Sequence, residues 1–83
     1  MNNPPTDRAP SLQLAPGPFM TEVRRWLGAK GTSQAILADR AQVSKHQLNR
    51  WIRGHVRPSL ESRVKMRHGI VLLERELEEE GNE

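Results

Sequence analysis

Cysteine is missing from all 83 residues. Its absence removes a disulfide framework, a thiolate metal site and a thiol nucleophile, and points to a reducing compartment. Carboxylates are scarce where catalysis would need them. The only aspartates are Asp7 and Asp39, and six of the eight glutamates crowd residues 74 to 83, where they would repel phosphate substrates. Three dispersed histidines, His46, His55 and His68, lack carboxylate partners and make a poor metal site. No apolar run approaches the ~20 residues that span a bilayer, and the first residues lack the charged and apolar regions of a secretory leader. The expectation is a cytoplasmic protein that is not an enzyme and carries no cofactor or metal.

What is present is small, proline-tipped and unevenly charged. Five of the six prolines fall in residues 1 to 18 without hydrophobic periodicity, which reads as a disordered, partly polyproline-like arm. About 65 residues remain, enough for one modest core but not for a two-layer catalytic domain with a deep cleft. The net charge of +3 conceals an asymmetry. Residues 40 to 68 carry eight cations against Glu61, a net of +7, whereas residues 69 to 83 carry Arg75 against six glutamates, a net of −5. The middle of the chain suits a polyanion and its end does not.

Apolar spacing predicts helices throughout. A first helix spans about Phe19 to Ala29, with Met20, Val23, Trp26 and Leu27 on one side, Arg24 and Arg25 on the other, and Gly31 as a stop. Thr32 or Ser33 caps a second helix to about Arg40, with Leu37, Ala38 and Ala41 inward. After a short turn, Ser44 and Gln47 form a Ser-x-x-Gln capping box that opens a third helix ended by Gly54. At 100° per residue, Leu48, Trp51 and Ile52 gather in one stripe roughly 100° wide, with His46, Arg50 and Arg53 opposite and Lys45 and Asn49 flanking. Both tryptophans fall on apolar stripes and read as core. Pro58 and Ser59 open a fourth helical stretch to about Glu80, which Gly69 could divide.

Two short helices joined by a tight turn, the second basic outside and apolar inside, constitute a helix-turn-helix. The run Ser33-Gln34-Ala35-Ile36-Leu37-Ala38-Asp39-Arg40-Ala41-Gln42-Val43-Ser44, with Leu48-Asn49-Arg50-Trp51, Gly54 and Pro58-Ser59, resembles the Cro and phage-repressor type of helix-turn-helix domain, the XRE family. The resemblance covers roughly residues 19 to 66. It implies an all-α fold of four to five helices, divided into a 1 to 18 arm, a 19 to 66 DNA-binding domain, and a 67 to 83 C-terminal helix with an acidic tail.

By the same resemblance, Lys45, His46 and Arg50 would read base edges in the major groove of an operator, while Gln34, Asn49, Arg53 and Arg57 would contact phosphates. Arginine, lysine and histidine can all donate to guanine O6 and N7, and phosphate contacts position without specifying. Two departures from the family pattern stand out. Gln42 occupies a turn position usually held by glycine, which implies a left-handed residue at a cost of ~1 kcal/mol, and Ile52 replaces a position that is often acidic and is expected to be buried.

In the fourth stretch Leu60, Val64 and Val71 make one stripe, and Met66, Ile70, Leu73 and Leu77 a second with heptad spacing. The second stripe is expected to form a homodimer interface that presents two recognition helices to half-sites one DNA turn apart. The function expected is a transcriptional regulator, with repression favoured, in a bacterial or phage-infected cell. The alternatives are an antitoxin-like module that binds a protein partner through the arm or acidic tail, and an excisionase-like architectural binder.

Overall fold

The computed structural model describes residues 9 to 81, with side chains to residue 80. Four helices follow one another: α1 (Pro16–Lys30), α2 (Gln34–Ala41), α3 (Lys45–Ile52) and α4 (Leu60–Gly81). Each boundary has a local cause. Ser33 Oγ accepts from the Ile36 amide at 3.2 Å and Ser44 Oγ from the Gln47 amide at 3.0 Å. Ser59 Oγ accepts from the Ser62 amide at 3.1 Å, so all three serines cap as the spacing predicts. The helices stop on left-handed residues: Gly31 after α1, Gln42 after α2 and Gly54 just beyond α3.

The core is made from every helix. Phe19, Val23 and Trp26 of α1, Leu37 of α2 and Leu48 of α3 are fully enclosed, joined by Met66 and Ile70 of α4, with Trp51 and Leu73 nearly so. Full burial of such aliphatic and aromatic side chains stabilises by ~1.5–3 kcal/mol apiece. Ile52, expected to be buried, is half-buried against this core.

Three expectations need correction. The helical fold begins earlier than residue 19: α1 starts at Pro16, because prolines in a first turn surrender amides that have no helical partner anyway. Residues ahead of it are also held. Pro10 is buried, Ala9, Leu12 and Leu14 pack on the core, and Arg63 Nη1 and Arg67 Nε donate to the carbonyls of Leu14 and Pro10, each at 3.2 Å. The part of the expected arm in residues 1 to 8 lies outside the described residues.

Second, Gly69 does not divide the last helix. A Cβ there would stand 2.8 Å from the Ala41 nitrogen and 2.9 Å from its Cα, so the bare glycine lets α4 lie against the end of α2. The expected boundary between residues 66 and 67 therefore falls within a continuous helix. The acidic end is no detached tail either, since Glu74 accepts from Trp26 Nε1 at 3.2 Å and Glu76 from Arg40 at 2.7 and 3.0 Å.

Third, the stripe expected to be a dimer interface is the chain's own core. Met66, Ile70 and Leu73 are buried within one copy and Leu77 is half-buried. Of the other stripe, Leu60 and Val64 are 57% and 45% exposed and Val71 is half-buried. A four-helix core can enclose one of two opposed stripes, and the close approach at Gly69 selects which.

Candidate nucleic-acid interface

The turn between α2 and α3 is set by backbone geometry. The Val43 amide donates to the Ala38 carbonyl at 3.0 Å and the Gln42 amide to Asp39 at 3.2 Å, the paired bonds of a Schellman motif. Gln42 sits at its left-handed position with φ 60° and ψ 43°. The strain anticipated for a residue with a Cβ is therefore present.

The helix that follows is fixed from inside. Leu48 and Trp51 are buried, and the same helix leaves Lys45, His46 and Arg50 exposed. Arg53 and Arg57 are exposed on the segment that leaves it. At its far end the His55 amide donates to the Arg50 carbonyl at 3.0 Å and the Gly54 amide to Trp51 at 3.1 Å, so the chain turns sharply, with Arg53 capping α3 and Arg57 in a groove shared with Trp51 and the start of α1.

Gln34 and Asn49 meet. Asn49 Nδ2 donates to Gln34 Oε1 at 3.1 Å, tying the first residue of α2 to the middle of α3. Both are half-buried. With its oxygen occupied, the Gln34 side chain retains its amide nitrogen as a donor at a helix N-terminus, where the helix dipole also favours an anion. The joint holds the two helices at a fixed angle and offers a donor in one arrangement.

The positive charge of the middle segment divides into two sets. Arg40 is paired with Glu76 and Asp39, and Arg63 and Arg67 hold the N-terminal segment. The bond to Glu76 raises Arg40 above the ordinary guanidinium range and, reciprocally, holds the Glu76 carboxyl below its usual value. Lys45, Arg50, Arg53, Arg57 and Lys65 make no ion pair among the described residues. Arg63 and Arg67 bond only neutral carbonyls, so seven cations of this segment stand without an ion pair among the described residues, four of them on or just after α3 and three on α4.

One contributor escaped the sequence reading. Arg24 of α1 donates through Nη1 to the Ile52 carbonyl, the last of α3, at 2.6 Å, and through Nη2 to Thr21 Oγ1 at 3.1 Å. A cation at a helix C-terminus satisfies an orphan carbonyl and complements the dipole. The only sequence signal was its place on the polar side of α1, which does not reveal a partner 28 residues away.

Taken together, these features give two eight-residue helices at a fixed angle, the second buried on one face and cationic on the other, matching a helix that lies in a major groove. Among the described residues no helix is long and apolar enough to cross a membrane. No curated protein and no solved structure matches the chain. A family model described as helix-turn-helix matches residues 23–66, a little over half the chain and the span that runs from α1 into α4. The chain thus belongs to the helix-turn-helix family of the Cro and phage-repressor type, whose domain binds DNA.

Proposed function

We propose that the protein is a sequence-specific transcriptional regulator that acts as a repressor, inserting α3 into the major groove of operator DNA. The observation that carries this reading is the outward face of α3, where Lys45, His46 and Arg50 stand exposed while Leu48 and Trp51 lock the opposite face into the core. Arg50 and Lys45 read guanine edges as donors, with His46 beside them. Gln34, Asn49, Arg53 and Arg57 line the flanks and hold phosphates, which sets affinity and register more than specificity. Repression is the preferred sign because occupation of an operator by this domain alone achieves it, with no surface needed for recruiting polymerase. A regulator of this kind works in the cytoplasm, at the nucleoid of a bacterial or phage-infected cell, and meets an inverted repeat as two copies.

Titrations of cognate and scrambled duplexes at several salt concentrations test the division of roles. Arg50→Ala costs ~1–3 kcal/mol on the cognate site and much less on scrambled DNA. Arg53→Ala weakens both alike and lowers the salt slope by about one. Identical profiles for the two variants would overturn the assignment.

A further inference from the structure

Between the first turn of α1 and the segment that joins α3 to α4 lies a groove of about 130 Å³. Its side-chain walls include Met20, Trp51, Val56 and Pro58, and its only charged groups are Arg24 and Arg57. No carboxylate lines it, and neither arginine makes an ion pair among the described residues. Arg24 is nonetheless fixed in place, through its bonds to the Ile52 carbonyl at 2.6 Å and to Thr21 Oγ1 at 3.1 Å. Both acceptors are neutral, so its charge stays unbalanced, and three of the five guanidinium donors remain to be used.

An apolar cleft of this size with two uncompensated cations is complementary to one kind of molecule. A cavity of ~150 Å³ walled by apolar side chains takes up a benzene ring, so a single six-membered ring fits here and two fused rings do not. The cations call for a negative group, and a carboxylate meets a guanidinium through two parallel hydrogen bonds. Inorganic anions satisfy the charge but leave the apolar wall uncovered.

We infer that this groove binds a small aromatic carboxylate of one ring, with the ring against Met20 and Trp51 and the carboxylate held by Arg24 and Arg57. The site has a consequence for DNA binding, and that part alone rests on the operator proposal. Arg57 is there assigned to a phosphate, so ligand and duplex compete for one guanidinium, and the carboxylate loosens the protein from DNA.

Benzoate is the probe. With about nine non-hydrogen atoms and one side open to water, it should dissociate in the millimolar range. Amide NMR of the isotope-labelled full chain, titrated at constant ionic strength, should show saturable shifts at Gly17, Gly54 and Val56 and at the Trp51 indole. Benzyl alcohol keeps the ring without the charge and acetate the charge without the ring, and each should bind about tenfold more weakly or worse. The fused rings of 2-naphthoate should be excluded. Arg57 is exposed, so Arg57→Gln should weaken benzoate several-fold at an unchanged melting temperature. For the competition, wild type and Arg57→Gln are titrated with a mixed-sequence duplex in saturating benzoate or in chloride of equal ionic strength. Benzoate should weaken the wild type several-fold and leave the variant unaffected.

Shifts that never saturate, acetate or naphthoate binding as well as benzoate, or an Arg57→Gln variant that binds benzoate like wild type would each overturn the site. Shifts confined to the outward face of α3 would overturn it too, by revealing only a general attraction for anions. Benzoate that fills the groove without changing the duplex affinity of the wild type would overturn the competition. A chain that binds benzoate in the groove but binds no duplex would instead refute the regulator reading and leave the ligand site standing.

Discussion

Replacing Gly69 with alanine offers a sharp test, because local and tertiary physics predict opposite signs. In the interior of α4 alanine is a better helix former than glycine by ~1 kcal/mol, so an unobstructed site gains stability. The site is obstructed. The new methyl would stand 2.8 Å from the Ala41 nitrogen, 2.9 Å from its Cα and 3.0 Å from its Cβ, whereas ordinary contacts begin near 3.4 Å. Two of those atoms are backbone and cannot rotate away, so α4 must retreat from α2 by about half an ångström.

A gap of that width forfeits a quarter of the dispersion attraction along a facing surface, and overpacking of this kind costs ~1–3 kcal/mol. Taking the upper end, because rigid backbone receives the clash, and subtracting the helix gain leaves a net loss of ~2 kcal/mol. For a domain of this size each kcal/mol moves the melting temperature by ~4–8 °C, so Gly69→Ala should melt ~8–16 °C below wild type. Gly28 is the matched control. It lies within α1, nothing approaches its Cβ position within 4 Å, and Gly28→Ala should raise stability by ~0.5–1 kcal/mol. Thermal and denaturant melts of the three proteins decide it. A Gly69→Ala variant as stable as wild type would refute the close approach of α4 to α2 on which the packing argument stands.

Other expected outcomes follow from individual contacts. Gln42→Gly should stabilise by a few tenths to ~1 kcal/mol, because φ 60° costs glycine nothing; a loss in denaturant melts would mean the turn is held by the glutamine side chain. Arg24→Ala should cost ~1 kcal/mol by leaving the last α3 carbonyl without its donor, and Arg24→Lys should recover part of it; equal melting temperatures for all three would show the bond is worth nothing in solution. Because Arg40 holds the Glu76 carboxyl below its ordinary value of about 4.5, the pair's contribution is complete above that pH and fades as pH falls through the lowered value. The stability gap between wild type and Glu76→Gln should therefore close in acid, and a gap independent of pH in melts would show that the carboxylate charge plays no part.

Most of the helix-turn-helix was legible because its boundaries are local. Ser33, Ser44 and Ser59 cap with their own chain neighbours, Gly31 and Gly54 stop helices by conformation alone, and Gln42 is left-handed as the family resemblance implies. The inward stripe of α3 was equally plain. Proline density hides the start of α1, since it resembles arm composition although Pro16 and Pro18 occupy first-turn positions where proline is at home.

Periodicity could not rank the two stripes of α4, since both have helical spacing. The one available signal was Gly69, which flanks the Met66, Ile70, Leu73 stripe and marks the side that another backbone approaches. Contacts such as Trp26 with Glu74 and Arg40 with Glu76 join residues 48 and 36 positions apart and leave no trace in local pattern. Of the candidate DNA contacts, Lys45, His46, Arg50, Arg53 and Arg57 are exposed, whereas Gln34 and Asn49 are half-buried and joined by a bond that only the helix crossing creates.

The brevity of α2 and α3 has a consequence for how the reading surface comes into being. Each has eight residues, and helices shorter than ~12–15 residues are marginal on their own in water. Neither can persist as a preformed unit that later docks; each exists because Leu37 and Leu48 are enclosed in the core that all four helices share. The amides in the middle of α3 should then exchange with solvent deuterium only when the whole domain opens, at the same free energy as the amides of α4 around Ile70. Any substitution in the core, however far from Arg50, would raise the fraction of molecules in which no recognition helix is present at all.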